Sequence, residues 1–346
     1  MMSDKVASAG TVRVAVVGAG GICNGVHMPS LRSMPDVEVV AVCDLIPERA
    51  AATAKKWSIP KSYTLMREMF AAEKIDAVFC LVEPGSMFYV AMLALQHGYP
   101  VFCEKPPGIT SCQADALARR SDSLGKPVMV GFNRRFIPVV REAKRHLAAA
   151  KSITQVEGCF YKYGSGDRFD LGGLTAFASD TIHAVDLLRY LSGAKTARKT
   201  ALLAQALDCP MENQWNGIME FDNGVHGIIK ANYLSGGRVH QFQVHGIGMA
   251  AFIDLGFGEG RAQADILTHS GAVSYSLASS GQASEMVTHL DGKQLAGSSE
   301  FHKYYGYYFE DRHFIDCLKS GQTPECCIQD ARESLRLVEQ LLANRL

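Results

Sequence analysis

The sequence predicts two domains of different fold classes. The first is an α/β domain with a doubly wound parallel sheet; the second is an α+β domain with an open, largely antiparallel sheet backed by helices. A chain of 346 residues is longer than one core usually holds. Up to residue 131, short apolar strands alternate with helices, which is typical of a parallel sheet covered on both faces. Beyond that point the strands lengthen, so we predict domains over residues 1–131 and 132–346.

The elements of the first domain follow one another closely. The predicted strands are short, apolar and rich in β-branched residues, and they are Val12–Val17, Glu38–Cys43, Asp76–Leu81, Val101–Cys103 and Val128–Val130. The predicted helices are a stretch that runs from a glycine-rich turn toward Met34, Pro47–Trp57, Ser86–His97 closed by Gly98, and Ser111–Leu124 closed by Gly125.

The second domain is predicted from longer segments. A helix over residues 138–150 precedes a strand over Ile153–Tyr163, and Asp180–Leu191 has helical spacing with Gly193 as its stop. Residues 199–255 indicate successive antiparallel strands, with a hairpin turned by Asp222-Asn223-Gly224. Residues 256–297 show no clear pattern. Two helices, over residues 305–319 and 328–344, close the chain, and the last is a candidate to pack back on the first domain.

Composition excludes several functional classes. The 35 Lys and Arg residues balance the 35 Asp and Glu residues, so nothing indicates nucleic acid or an anionic membrane as a partner. No apolar run could span a bilayer, and the opening run MMSDKVASAG lacks a signal-peptide core, so we expect a cytoplasmic protein. The ten cysteines include no Cys-x-x-Cys pair, so we expect neither disulfides nor a structural metal.

A glycine-rich turn between the first strand and the following helix indicates a dinucleotide site. Gly18 permits the tight turn, and Gly20, followed by Gly21 and Ile22, allows the pyrophosphate to approach the backbone. Cys23 stands where the third glycine of this fingerprint is expected. The strand, turn and helix order supports a Rossmann-type domain.

The end of the second strand supports the same site. Asp44 lies twenty-one residues after Cys23, where a carboxylate accepts hydrogen bonds from a ribose diol and repels a 2′-phosphate. Arg49 nearby could pair with such a phosphate. We therefore predict NAD as the preferred cofactor, with NADP possible.

The run Val101-Phe102-Cys103-Glu104-Lys105-Pro106 indicates chemistry at the edge of the same sheet. Lys105 follows an apolar strand, and a lysine at the carboxyl end of a parallel strand, near a bound nicotinamide, is placed to act on a substrate hydroxyl. The sequence therefore predicts an enzyme.

Five segments together resemble the glucose–fructose oxidoreductase / inositol dehydrogenase (Gfo/Idh/MocA) family over nearly the whole chain. They are VAVVGAGGI, PERA after the second strand, CEKPPGIT, GFNRRF and DTIHAVDLLRYL. The resemblance implies an NAD(P)-dependent oxidoreductase that moves hydride between the nicotinamide and a secondary alcohol of a sugar, cyclitol or related polyol. It also implies a homodimer or homotetramer formed through the second sheet.

The same resemblance implies roles for individual residues. Lys105 would hold the reacting hydroxyl, Glu104 would help position the cofactor, and the Lys105–Pro106 bond is a candidate for the cis geometry. Asn133 joins the predicted cofactor contacts. His183 would accept the hydroxyl proton, since an imidazole suits a base at neutral pH.

The chain departs from the family pattern at two places. Ser179 stands where relatives carry an aspartate, and Asp180 lies one position later, still near the face of the helix that carries the histidine. Met87 stands where many relatives carry a histidine beneath the nicotinamide. The cofactor contacts of that loop would then come from the backbone of Leu81 and Val82.

Substrate contacts and the reaction type stay open at this level. Candidate substrate-binding side chains are Lys162, Arg135, Arg238 and His240. The aromatic run Tyr304–Phe309 favours core packing over sugar stacking. Two alternatives remain: an NAD-dependent enzyme that cleaves glycosides through transient oxidation with no net redox change, and a non-catalytic NAD-binding sensor.

Overall fold

A computed structural model describes residues 10–164, 174–256, 261–270 and 284–346 of the chain. These residues cluster into two compact units. The first unit contains residues 10–133, Leu174 and residues 306–336. The second contains residues 134–164, 175–256, 261–270, 284–305 and 337–346.

The first unit holds a parallel sheet of six strands in the order β3-β2-β1-β4-β5-β6. The strands are β1 (Val12–Val17), β2 (Val37–Cys43), β3 (Lys61–Tyr63), β4 (Ala77–Cys80), β5 (Val101–Glu104) and β6 (Val128–Gly131). Its helices before residue 133 are α1 (Met28–Arg32), α2 (Pro47–Trp57), α3 (Met66–Ala72), α4 (Pro84–Gln96) and α5 (Ser111–Leu124). The predicted doubly wound sheet is confirmed, and β3 and α3 are additions that the sequence pattern did not indicate.

The strand order explains where a ligand can bind. All residues of β4, β5 and β6 are buried, as expected for strands covered on both faces. The chain winds outward in opposite directions from β1 and β4, which are neighbours. A crevice therefore forms at the carboxyl ends of these two strands, where open α/β sheets bind their ligands.

The second unit holds a mixed sheet of eight strands in the order β14-β13-β12-β11-β7-β10-β9-β8. The strands are β7 (Ile153–Tyr163), β8 (Ala197–Gln205), β9 (Gln214–Phe221), β10 (His226–Asn232), β11 (Leu234–Gly246), β12 (Met249–Asp254), β13 (Gln263–Ser270) and β14 (Ser284–Asp291). Among the described residues, the α-helices after residue 133 are α6 (Pro138–Leu147), α7 (Ile182–Ser192), α8 (Gly292–Ala296), α9 (Phe301–Tyr304), α10 (Tyr307–Ser320) and α11 (Ile328–Ala343). Of these, α10 belongs to the first unit, and α11 begins in the first unit and ends in the second.

This second sheet is largely antiparallel and is backed by α6 and α7, as predicted. One pair differs, because β10 runs parallel to β7 while the other neighbours are antiparallel. The predicted hairpin is confirmed in β9 and β10, where Gly224 adopts a φ of +84° that glycine readily tolerates. β13 and β14 occupy parts of residues 256–297, for which no element was predicted.

The structure bears on the cysteines and on membrane-spanning helices. All ten cysteines are free thiols. Within the described ranges, no helix is both long and apolar enough to cross a membrane.

Candidate functional site

The glycine turn after β1 is fixed by a close approach to the neighbouring strand. Gly18 has a φ of +99°, and a Cβ added there would lie 2.3 Å from the carbonyl oxygen of Leu81. Any other residue would be strained and would clash with the backbone. By contrast, a Cβ at Gly20 or Gly21 would meet no atom within 4 Å. The space above these two glycines is therefore open to a ligand.

Asp44 braces the same turn from the end of β2. Its Oδ2 accepts a hydrogen bond of 2.8 Å from the backbone N–H of Ala19, and its Oδ1 accepts one of 2.9 Å from that of Ile46. These two bonds hold the carboxylate in one orientation beside the glycine turn. Such a fixed acceptor is suited to a ribose diol.

Asn24 ties the turn to α2, a link that sequence reasoning missed. Its side-chain nitrogen donates to the carbonyl oxygens of Ala19 and Gly20, at 3.0 and 3.2 Å, and to the hydroxyl of Thr53 at 2.9 Å. Its side-chain oxygen accepts a bond of 2.8 Å from the indole nitrogen of Trp57. The amide of Asn24 therefore fixes the spacing between the turn and the helix.

A cavity of about 870 Å³ opens at this turn. Its size matches that of small-molecule and cofactor sites. Seven of the predicted cofactor contacts line it, namely Gly18, Gly20, Gly21, Ile22, Asp44, Leu81 and Val82. Arg49 and Arg67 line it as well, and Glu104 and Asn133 are not among its lining residues. A dinucleotide would find a largely apolar pocket here, with the fixed carboxylate of Asp44 at its wall.

Lys105 follows β5 directly, at the carboxyl edge of the parallel sheet. Its backbone N–H donates a hydrogen bond of 3.1 Å to Oε2 of Glu104, and the Lys105–Pro106 peptide bond is cis. Glu104 is buried, and its other oxygen lies 3.0 Å from Nε2 of His27. The carboxylate of Glu104 thus links the lysine backbone to the widened helical turn (Cys23–His27) that precedes α1.

His27 lies at the centre of a buried group of charges that we call the His27 cluster: His27, Glu104, Glu310 and Asp311. Nδ1 of His27 lies 3.0 and 3.1 Å from the two oxygens of Asp311. Burial alone would lower the pKa of His27, but the carboxylates of Asp311 and Glu104 outweigh it and hold that pKa well above its ordinary value. The ring is therefore a cation with a carboxylate at each nitrogen.

The same cluster has the spacing of a cation site. One donor atom each from His27, Glu104 and Glu310 lies within 4.8 Å of the others. However, a metal needs a neutral imidazole nitrogen, and both nitrogens of His27 already face carboxylates. The geometry favours an internal ion pair.

In the second unit, Asp180 lies in a widened helical turn (Phe177–Thr181) that leads into α7 and the buried His183. Its Oδ2 accepts hydrogen bonds from the amine of Lys162, at 2.5 Å, and from the hydroxyl of Tyr233, at 2.9 Å. Burial, reinforced by Asp180, raises the pKa of Tyr233 well above its ordinary value, so the phenol stays protonated. The predicted action of Asp180 on His183 stays a prediction.

Three of the four predicted substrate contacts lie close together, in a group that we call the Arg238 cluster: Lys162, Arg238 and His240, with Arg134. The ring of His240 stacks on Phe160 with centroids 4.0 Å apart. Nδ1 of His240 lies 3.5 Å from a nitrogen of Arg134 and 3.5 Å from Nε of Arg238. A guanidinium only donates, so Nδ1 accepts and the imidazole is neutral.

The fourth candidate, Arg135, lies elsewhere. It forms a buried ion pair with Asp186, with nitrogen–oxygen distances of 2.8 and 2.5 Å. The neighbouring Arg134 joins the Arg238 cluster, although sequence reasoning did not select it. The run GFNRRF contains both arginines, but no sequence signal showed that Arg135 pairs with an aspartate whereas Arg134 contacts His240.

The surroundings of Lys162 shift the pKa of its amine. Burial lowers its pKa to about 8, Arg134 and Arg238 act in the same direction, and Asp180 opposes them. Burial also lowers the pKa of His240, with Arg134, Arg238 and Lys162 adding to the effect. The cluster is therefore strongly cationic at neutral pH.

Two family models match this chain. The model of the Gfo/Idh/MocA oxidoreductase family, described as having an NAD-binding Rossmann fold, matches residues 12–132. The model of the Gfo/Idh/MocA C-terminal domain matches residues 147–248. Together the two models span more than half of the chain and fall on the two sheets described above.

Individual proteins show the same similarity. The chain is 26% identical to scyllo-inositol 2-dehydrogenase (NAD(+)) of Bacillus subtilis over 345 residues, which covers 94% of this chain and 92% of that protein. It is 35% identical to D-glucoside 3-dehydrogenase of Escherichia coli over 126 residues, 36% of each chain. A dehydrogenase structure from Chromobacterium violaceum superposes with a TM-score of 0.83 at 20% identity, covering 97% of this chain and 96% of the other.

Proposed function

The chain belongs to the Gfo/Idh/MocA family of oxidoreductases, and we propose that it moves hydride between NAD and a secondary alcohol of a sugar, cyclitol or related polyol. The observation that carries this proposal is the position of Lys105. It follows β5 at the carboxyl edge of the sheet whose glycine turn opens the 870 Å³ cavity. Similarity to the inositol and glucoside dehydrogenases supports the substrate class.

In this proposal the protein's own residues handle the proton. The amine of Lys105 holds the substrate oxygen, and the imidazole of His183 accepts the hydroxyl proton as the alcohol becomes a ketone. A bound nicotinamide would supply the acceptor for the hydride that leaves the same carbon. Glu104, fixed by His27 at 3.0 Å, positions the lysine backbone through its second oxygen.

Asp44 supports a preference for NAD over NADP. Its two backbone hydrogen bonds hold the carboxylate beside the turn, where it would accept from a ribose diol and repel a 2′-phosphate. Arg49 and Arg67 line the same cavity and would moderate this discrimination. Measuring kcat/KM with each nucleotide, before and after Asp44→Ala, tests the preference, which should shrink in the variant.

The open face of the second sheet supports association with another copy of this chain. The register of the paired strands places Ile218, Leu203 and Phe252 on the same face of the sheet. Their exposed fractions are 59%, 56% and 39%. Apolar side chains of this size on a broad strand surface are typical of subunit contacts. Sedimentation of the wild type and of Ile218→Lys tests this association.

The Lys105→Ala variant tests the catalytic assignment. We expect normal NADH binding and a fall in kcat of about 10²- to 10⁴-fold, the range for loss of a group that positions or transfers a proton. Lys74→Ala, an exposed lysine of the same unit, serves as the matched control. Full turnover by Lys105→Ala would exclude the assigned role.

A screen of candidate substrates with the wild-type protein separates hydride transfer from the two alternative functions. Nicotinamide absorbance would be followed with sugars, cyclitols, sugar acids and glycosides. Release of an aglycone without NADH accumulation would indicate glycoside cleavage through transient oxidation. Tight NADH binding without turnover across the panel would indicate a sensor, consistent with the Ser179 and Met87 departures.

A further inference from the structure

In the Arg238 cluster, the positive charges outnumber the carboxylates that face them within the described part of the same unit. Arg134, Lys162 and Arg238 carry three positive charges, and the carboxylate that faces them is Asp180, which already accepts from Lys162 and Tyr233. Among the residues that the structure describes, neither arginine forms an ion pair with a carboxylate. Within the described part of this unit, two positive charges therefore face no carboxylate of their own.

Burial makes this imbalance costly. Arg134 is 3% exposed. Within the described part of the chain its Nε has no hydrogen-bond partner, and the polar contact of its guanidinium is the neutral imidazole of His240 at 3.5 Å. Burying a guanidinium without an anion is costly, because the group gives up its hydration and gains no opposite charge in exchange. An anionic ligand bound beside Arg134 would supply the missing negative charge and offset this cost.

The side chains around the imbalance are held in place. Phe160 carries His240 stacked on its ring, with the guanidinium of Arg134 5.1 Å and the amine of Lys162 4.9 Å from its ring centroid. Arg238 donates to the hydroxyl of Tyr305 at 2.9 Å. These contacts restrict the motion of the cations and so lower the entropic cost of ordering them around a ligand.

We propose that the Arg238 cluster recognises an anionic oxygen group on the substrate, so that the enzyme acts on a sugar acid or sugar phosphate instead of a neutral polyol. The inference rests on the proposed hydride transfer and specifies its substrate class. Guanidinium groups match the planar, two-oxygen geometry of carboxylates and the oxygens of phosphate. The bond from Lys162 to Asp180 connects the cluster to the turn that leads into the helix of His183.

Calorimetric titration of the NAD-bound full chain tests this inference with matched pairs. D-glucuronate and D-glucose 6-phosphate are compared with D-glucose, D-galacturonate with D-galactose, and D-gluconate with D-sorbitol, in a buffer of low ionic strength free of phosphate. We expect the anionic member of at least one pair to bind about tenfold tighter or more. The relative affinities of the acids and of the phosphate then identify the anion.

Arg238→Gln should lower the affinity for the preferred anionic probe by about 10- to 100-fold, the effect of losing one charged hydrogen-bond pair. Arg198→Gln, which removes an exposed arginine of the same unit, should leave that affinity unchanged. Arg238 is itself exposed, so the variant is expected to fold, and circular dichroism verifies this. Equal affinity in Arg238→Gln, or tighter binding of every neutral partner, would overturn the inference.

NADH absorbance recorded on the same mixtures keeps the two proposals apart. Turnover of neutral polyols without any preference for anionic probes would overturn the anion inference and leave hydride transfer in place. Selective binding of anionic probes without NADH formation would count against hydride transfer and support anion recognition.

Discussion

Two groups of charged residues, one in each unit, differ in whether their cations face carboxylates. In the His27 cluster the imidazolium has a carboxylate 3.0 Å from each ring nitrogen. In the Arg238 cluster, two arginines contact a neutral histidine and a tyrosine. His27 and Arg134 are both buried, and burial penalises an unpaired charge at either position. A buried cation that faces carboxylates is thus explained by the fold, whereas one that faces none points to a ligand.

The largest expected difference is in stability. His27→Gln would leave Glu104 and Asp311 buried without their cation, and we expect the free energy of unfolding to fall by about 3–5 kcal/mol, as for other broken buried pairs. Urea unfolding followed by circular dichroism measures this change. His289→Gln is a matched control, because His289 pairs with Asp265 at 2.8 Å on the surface. That exposed pair should contribute less than about 1 kcal/mol.

If His27→Gln unfolds no more easily than His289→Gln, the charges of the His27 cluster are not coupled in the way we describe.

The contributions of His27 and of Lys162 to the free energy of unfolding should change in opposite directions as pH rises. The pKa of His27 is raised in the folded protein, so its contribution is complete below the ordinary histidine pKa of about 6.5 and is lost as pH rises through the folded value. The difference in unfolding free energy between wild type and His27→Gln should therefore narrow as pH rises above about 7. A difference that widened over this range would contradict the assigned protonation state.

Lys162 should behave in the opposite way. Its folded pKa is about 8, and the unfolded value is about 10.4, so between these values the unfolded chain binds more protons and stability rises with pH. Lys162→Met should remove that rise, as measured by urea unfolding at a series of pH values. An unchanged slope in the variant would show that Lys162 keeps an ordinary pKa.

The smallest effect is expected for the stability of Arg238→Gln. Loss of the bond to Tyr305 is opposed by relief of repulsion from Arg134 and Lys162, so we expect a change within about 1 kcal/mol. Thermal unfolding without ligand measures it. A loss comparable to that of His27→Gln would show that Arg238 is a structural charge, and the contrast between the clusters would disappear.

Local patterns in the sequence predicted most of the fold. The limits of β1, α2, α5 and β7 agree with the structure to the residue, because apolar periodicity and terminal glycines are local signals. The parallel pairing of β10 with β7 was missed, since their paired residues are separated by a helix and two strands along the chain. Short elements such as β3 carry too few residues for a periodic signal.

The candidate site was predictable where its residues belong to one motif. The cavity residues follow from the glycine turn and from Asp44, and Lys105 follows from its strand. The His27 cluster was not predictable, because Asp311 is 284 residues from His27 in the chain. Adjacent Arg134 and Arg135 have the same chemistry, and only the position of Asp186 distinguishes the two.

The amide of Asn24 has a consequence for observing the protein in solution. It accepts from the indole of Trp57 at 2.8 Å and donates to the carbonyl groups of the glycine turn. The chain has two tryptophans, and the other, Trp215, is fully buried in the second unit. Trp57 is therefore a native optical reporter of the turn, and its emission would register nucleotide occupancy without any added dye.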